Sequence, residues 1–231
     1  IKLRAYNDGV AWRMVTRFEK PVTILDEILT IKMNSSDSVY YGSETSFISH
    51  SERFYPVQKI SEINKGEMCI LPALFKKPTG LLAIFTESDL LDYPGLYLQC
   101  VEKGEGIFTS TFPKAVQSVE VSKDRRSYLP SSRYDFIAST TGVREYPWRV
   151  FGIATNDVQL IENDIVYRLA SPCKLQETDW IKPGKVAWDW WNDWNLKNVP
   201  FKAGINTDTY KFYIDFASKY NLEYVIFDEG W

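Results

Sequence analysis

Between Lys185 and Phe227 the chain reads strand, helix, strand, and this pattern constrains the fold more than any other feature of the sequence. Lys185-Val186-Ala187-Trp188-Asp189-Trp190 is an apolar run suited to a buried strand. Asn206 or Thr207 can cap a following helix, with Asp208 in its first turn. Tyr210, Tyr213, Ile214, Ala217 and Tyr220 recur at helical spacing, and Asn221 can stop the helix. Tyr224-Val225-Ile226-Phe227 is a short continuous apolar run, typical of a parallel strand covered on both faces. Two parallel strands joined by a helix cannot bury themselves. A complete (β/α)8 barrel takes about 250 residues, and fewer than 50 follow Lys185. The expectation is therefore a truncated chain, holding the opening of a TIM barrel that continues past Trp231.

The residues before this unit have another rhythm. Ile1–Tyr6 alternates, Asn7-Asp8-Gly9 turns, and Val10–Val15 runs extended, which is a hairpin signature. Further β-rich runs are Val22–Leu29, Met68–Pro72, Leu81–Phe85, Gly95–Leu98, Ala115–Val121, Trp148–Ala154 and Ile165–Leu169, separated by Gly, Pro, Asn, Asp and Ser clusters. The spacing is that of an antiparallel β-sandwich. The expected organisation is a sandwich over 1–170, a linker over 171–184, and the first βαβ unit of a barrel over 185–231. The linker holds Leu175, Trp180 and Ile181, which a free Gly/Ser tether would lack, so these side chains are expected to be buried between the domains.

A net charge of -3 leaves no basic footprint, and nucleic acid is not an expected partner. No apolar run approaches the roughly 20 residues of a membrane span. The sequence starts at Ile1 rather than Met, so the lack of a signal peptide says little about location. The three cysteines, Cys69, Cys100 and Cys173, fit no zinc spacing, and an odd count leaves at least one thiol unpaired. The lone His50 has no nucleophile elbow near it, which argues against a serine or cysteine triad and for a surface residue.

Three segments can carry chemistry. Asp228 and Glu229 follow directly on the second apolar strand, where barrel enzymes place their active sites. Adjacent residues point to opposite sides, so one of the pair is expected to face a pocket; solvated loop acids are the bland alternative. Trp188-Asp189-Trp190-Trp191-Asn192-Asp193-Trp194 interleaves stacking faces with hydroxyl-binding groups, as a sugar subsite requires, although some of these rings can equally serve as packing. Aromatics at 15% of the chain fit either reading. The third segment, Thr86-Glu87-Ser88-Asp89-Leu90-Leu91-Asp92, gathers three acids after a strand. Carboxylates so spaced suit a hard cation such as Ca²⁺, or simply a solvated turn.

Taken together, Phe85–Leu90 with Asp92-Tyr93-Pro94-Gly95, Tyr146-Pro147-Trp148-Arg149-Val150, Lys182–Trp191, Gly204–Ala217 and the final Asp228-Glu229-Gly230-Trp231 resemble glycoside hydrolase family 97. The resemblance implies an N-terminal β-sandwich, a catalytic (β/α)8 barrel and a two-carboxylate glycosidase acting on α-linked glucosides or galactosides. It also implies a calcium ion bound through several glutamates, with Glu87 the position matching the ligand from the N-terminal domain. The catalytic acid and its partner are then expected on later barrel strands, while Trp188, Asp189, Trp191, Asp228 and Glu229 line the sugar site. An oligosaccharide or glycoside is the implied partner, and a periplasmic or cell-surface location in a Gram-negative bacterium the implied setting. The rival expectation, from a different class, is a non-catalytic carbohydrate-binding sandwich. Such a module has no need of the βαβ unit.

Overall fold

The computed structural model describes residues 1–123 and 127–228, and these form mostly antiparallel sheet with few helices. The chain divides into two compact units, Ile1–Glu120 with Leu129–Pro172, and Val121–Tyr128 with Cys173–Trp231.

The first unit is built on two antiparallel sheets. One has seven strands, in the spatial order Lys2–Tyr6, Gly9–Arg13, Trp148–Ala154, Leu82–Ser88, Ala73–Lys76, Ser38–Tyr40 and Val57–Lys59. The other has five, Thr30–Lys32, Ile107–Thr111, Tyr97–Glu102, Met68–Cys69 and Ser43–Glu44. Val39, Phe75 and Phe85 from the first sheet share one core with Cys69, Leu98 and Phe108 from the second. The first hairpin forms at the expected place with a tighter turn than Asn7-Asp8-Gly9: Tyr6 pairs with Gly9, so Asn7 and Asp8 alone make the loop. The outer face of the seven-stranded sheet carries a smaller cluster of Ala11, Trp148, Val150, Ile165 and Leu169.

That cluster corrects the reading of 165–169. Ile165–Leu169 is an α-helix rather than a strand. Its apolar residues Ile165 and Leu169 are spaced i, i+4, so a helix turns both onto the sheet, where both are buried. Asn163 Oδ1 accepts the Ile165 N–H at 3.2 Å and supplies part of the start signal. A neighbouring helix, Asp157–Ile161, follows the capping residue Asn156, whose side chain accepts the Gln159 N–H. The run expected to be extended over 22–29 keeps strand geometry only at Val22–Ile24. Conversely, the strand expected to end at Phe85 continues to Ser88 and carries Glu87 into the sheet.

The second unit pairs Val186–Trp188 with Tyr224–Ile226 in parallel, joined by the helix Thr207–Lys219. Asn206 caps the helix: its Oδ1 accepts the Thr209 N–H at 3.0 Å. Asn221 ends it with a left-handed φ of 53°. The Leu222 N–H then bonds the Ala217 carbonyl at 2.9 Å and the Asn221 N–H bonds that of Ser218, the two bonds of a Schellman closure. Ala187, Tyr213 and Ala217 are buried together, with Leu222 and Val225 against them. Leu175, Trp180 and Ile181 are exposed at 55%, 71% and 53%. No helix among the described residues is long and apolar enough to cross a membrane.

Candidate functional site

In the second unit the two parallel strands end side by side, and the candidate sugar-binding residues stand at those ends. Asp189 is fully buried. Its Oδ1 accepts the Asp228 N–H and its Oδ2 the Trp194 Nε1–H, both at 3.1 Å. Both oxygens are thus engaged in tying the end of one strand to the other and to the following aromatic turn. Asp228 is half-buried and accepts the Trp188 Nε1–H at 2.8 Å, while Trp191 stands 83% exposed with its ring 6.3 Å from that of Trp188. Trp190 and Trp194 pack on each other at 4.5 Å, so the four tryptophans split into two pairs. Glu229 lies outside the described residues.

A cleft of about 490 Å³ opens beside Trp188 and Trp191 and is floored by Val186, Ala187, Tyr213 and Phe216. Asn192 also lines it, but its Oδ1 already accepts the Tyr213 hydroxyl at 2.6 Å. Such walls can stack on a sugar's C–H face and offer few groups to fix its hydroxyls. The Tyr210 hydroxyl is buried and finds no partner among the described residues. Burial, then the nearby Asp189 and Asp228 charges, hold this phenol above its ordinary pKa. Helical spacing marks Tyr210 only as a member of an apolar stripe, a pattern that does not distinguish a tyrosine's ring from its hydroxyl.

In the first unit the three acids of 86–92 do not converge; each is held by a different arginine. Glu87 is paired with Arg149, its direct cross-strand partner in the register of Leu82–Ser88 with Trp148–Ala154. Asp89 and Asp92 both sit at left-handed φ, 57° and 53°. Asp89 accepts Arg13 Nη2 at 3.0 Å, and Asp92 meets Arg144 Nη1 at 3.3 Å. Glu87 faces the core side of the sheet, as Phe85 does two residues earlier.

Around Glu87 the geometry is detailed. Arg149 is 1% exposed. It presents Nε and Nη2 to the two oxygens of Glu27, each at 2.7 Å, and Nη1 to Glu87 Oε1. Glu87 Oε2 accepts the Leu96 N–H at 3.0 Å, and the Tyr93 hydroxyl donates to Glu27 Oε2 at 3.3 Å. Phe112 lies under the guanidinium at 5.6 Å. Two carboxylates and one guanidinium leave the group with a net charge of about -1, and the bidentate fork assigns Arg149 mainly to Glu27. Burial pushes the Glu87 carboxyl above its ordinary range, against the lowering effects of Arg149 and the Leu96 N–H. Burial acts the other way on Arg149, yet the Glu27 carboxylate holds that guanidinium above its usual value.

This arrangement bears on calcium. No three His, Cys, Asp or Glu side chains among the described residues are grouped to hold a metal by themselves. Glu87 nevertheless fits as one ligand of a larger set. Among the described residues each of its oxygens accepts one hydrogen bond, and a carboxylate oxygen has a second lone pair to offer.

The class these features define is a modular protein, in which an antiparallel two-sheet domain precedes a parallel βαβ unit whose strand ends are aromatic and acidic. The chain belongs to glycoside hydrolase family 97: residues 1–172 match the family described as Glycosyl-hydrolase 97 N-terminal, and residues 190–231 match Glycoside hydrolase 97. Over its whole length it is 38% identical to a retaining alpha-galactosidase of Bacteroides thetaiotaomicron, of which it covers 36%. A family 97 enzyme from Pseudoalteromonas sp. strain K8, solved with acarbose, superposes on 96% of the chain with a TM-score of 0.70 at 23% identity. A beta-arabinopyranosidase does so equally well, at 0.70 and 20% identity. The chain spans about a third of the length of each of these relatives.

Proposed function

We propose that the full protein is a glycosidase that hydrolyses α-linked galactosides with retention of anomeric configuration, α-glucosides being the runner-up substrates. The observation that carries this reading is the 38% identity, across all 231 residues, to a relative named a retaining alpha-galactosidase. Retention requires two carboxyl groups about 5–5.5 Å apart, one a nucleophile and the other an acid that later acts as base. Neither is assigned to the described residues. The parallel strands at 186–188 and 224–226 are read as the first two of a (β/α)8 barrel.

Within this chain, Trp188 and Trp191 would offer stacking faces to the sugar, and Asp228 or Glu229 would accept hydrogen bonds from its hydroxyls. Asp189, buried and doubly bonded, would hold Asp228 and Trp194 in position for them. Glu87 would hold a calcium ion together with ligands elsewhere in the protein, the ion supplying positive charge that polarises and orients the sugar. A periplasmic or cell-surface location completes the proposal.

The test is an assay of the full-length protein on p-nitrophenyl α-galactoside and α-glucoside, with the first-formed anomer read by NMR. Faster turnover of the galactoside with a retained anomer is expected. Release of the inverted anomer would overturn the mechanism. Sugar binding without any turnover would favour a binding module instead.

A further inference from the structure

We infer that Glu27 is a positioning residue for the cation site: by holding the Arg149 fork, it keeps Arg149 from neutralising Glu87, and so leaves Glu87 free to serve a divalent cation. The inference rests on the reading of Glu87 as a calcium ligand and extends it to residues with no role so far.

A guanidinium beside two carboxylates can be shared evenly or committed to one. Here two of its nitrogens go to one carboxylate and one to the other. Nε and Nη2 both go to Glu27 at 2.7 Å, which is the bidentate geometry, while Glu87 receives Nη1 alone. Glu27 is itself held in that pose by the Tyr93 hydroxyl at 3.3 Å. Its side chain is 9% exposed and that of Arg149 1%, so solvent screens the pair little. The Arg149 charge is therefore balanced locally. Glu87 keeps a lone pair on each oxygen, and the Leu96 N–H fixes the direction of Oε2.

Without the Glu27 charge, the guanidinium would fall wholly to Glu87. A cation at Glu87 would then meet an uncompensated positive charge a few ångströms away in a weakly screened site. At an effective dielectric of about 20 such repulsion is large enough to weaken binding by about tenfold or more. Removing Arg149 should act in the opposite direction, since both carboxylates then face the cation.

The opposite signs make the test. In the full-length enzyme, calcium affinity is measured by titration calorimetry, and the thermal midpoint is recorded in chelator and in excess calcium. Glu27→Gln should raise the calcium Kd about tenfold or more and shrink the calcium-induced rise in midpoint. Arg149→Met, which keeps the apolar stem, should lower the Kd or leave it no worse. Should Glu27→Gln fail to fold, Arg149→Met still reads the sign. Glu87→Gln serves as the control. If it raises the Kd while Glu27→Gln leaves it unchanged, the positioning role is overturned and the ligand role stands. If Glu87→Gln leaves the Kd unchanged, the metal reading falls and this inference with it. Weakened calcium binding in both Glu27→Gln and Arg149→Met would also overturn it, because a merely structural triad loses affinity whichever member is removed.

Discussion

Asp89→Asn isolates one buried ion pair of the first unit. The Asp89 side chain is 8% exposed and follows the strand Leu82–Ser88. Its Oδ1 accepts the Ser171 N–H at 2.9 Å, and its Oδ2 accepts the Ser171 hydroxyl and Arg13 Nη2, each at 3.0 Å. Asparagine keeps one acceptor, enough for the Ser171 N–H. The Ser171 hydroxyl can reverse and accept from the new amide. The Arg13 bond cannot be rescued, because two N–H donors would then face each other. Arg13 is equally buried and keeps Glu145 at 3.2 Å and the Tyr146 carbonyl, so its charge is left partly rather than wholly unpaired. A charge-assisted hydrogen bond contributes about 1.5–3 kcal/mol. Asn tolerates the left-handed φ of 57° at least as well as Asp, which returns a few tenths of a kcal/mol. The net loss is about 2 kcal/mol, or roughly 4–8 °C in midpoint for a domain of this size.

The pH dependence adds a signature. Burial alone would raise the Asp89 carboxyl, but the Ser171 N–H and hydroxyl and Arg13 outweigh it and hold the group below its ordinary 3.8. A carboxylate with a depressed folded pKa contributes stability above the unfolded value, and that contribution fades as pH falls through the folded one. The gap between wild type and Asp89→Asn should be full at pH 7 and close below about pH 4. Scanning calorimetry across pH 3–7 measures it. A midpoint within 1 °C of wild type at pH 7, or a gap that persists undiminished at pH 3, would rule out the Asp89–Arg13 pair as the source of the loss.

Two further outcomes are expected. Trp191→Ala should leave the thermal midpoint within about 1 °C, since the ring is 83% exposed, but should raise KM in the full enzyme several-fold if the ring stacks on sugar; unchanged KM would remove Trp191 from the site. Asn206→Ala deletes the acceptor for the Thr209 N–H and hydroxyl and should cost about 1 kcal/mol in urea unfolding, whereas a loss below about 0.3 kcal/mol would show that the cap is idle.

Local signals made much of this protein legible in its sequence. The first hairpin, the strand Trp148–Ala154, and the parallel βαβ unit with its Asn206 cap and Asn221 stop depend on neighbours a few residues apart, and spacing and turn chemistry suffice to state them. The five residues 165–169 read wrongly because so short an apolar run satisfies a strand and a helix alike, and only a sheet face able to bury Ile165 and Leu169 together selects the helix. Sequence also marked Glu87, Asp89 and Asp92 as a group, yet could not show that each would go to a different arginine. The partners lie far along the chain: Arg149 is 62 residues from Glu87 and 122 from Glu27. What brings them together is strand register. Pairing Leu82–Ser88 with Trp148–Ala154 sets Glu87 opposite Arg149, and a slip of one residue would send each side chain to the other face. The residues that can hold charge were written in the sequence; which charge balances which was decided by tertiary pairing, because an ion pair across a sheet exists only once the two strands lie side by side.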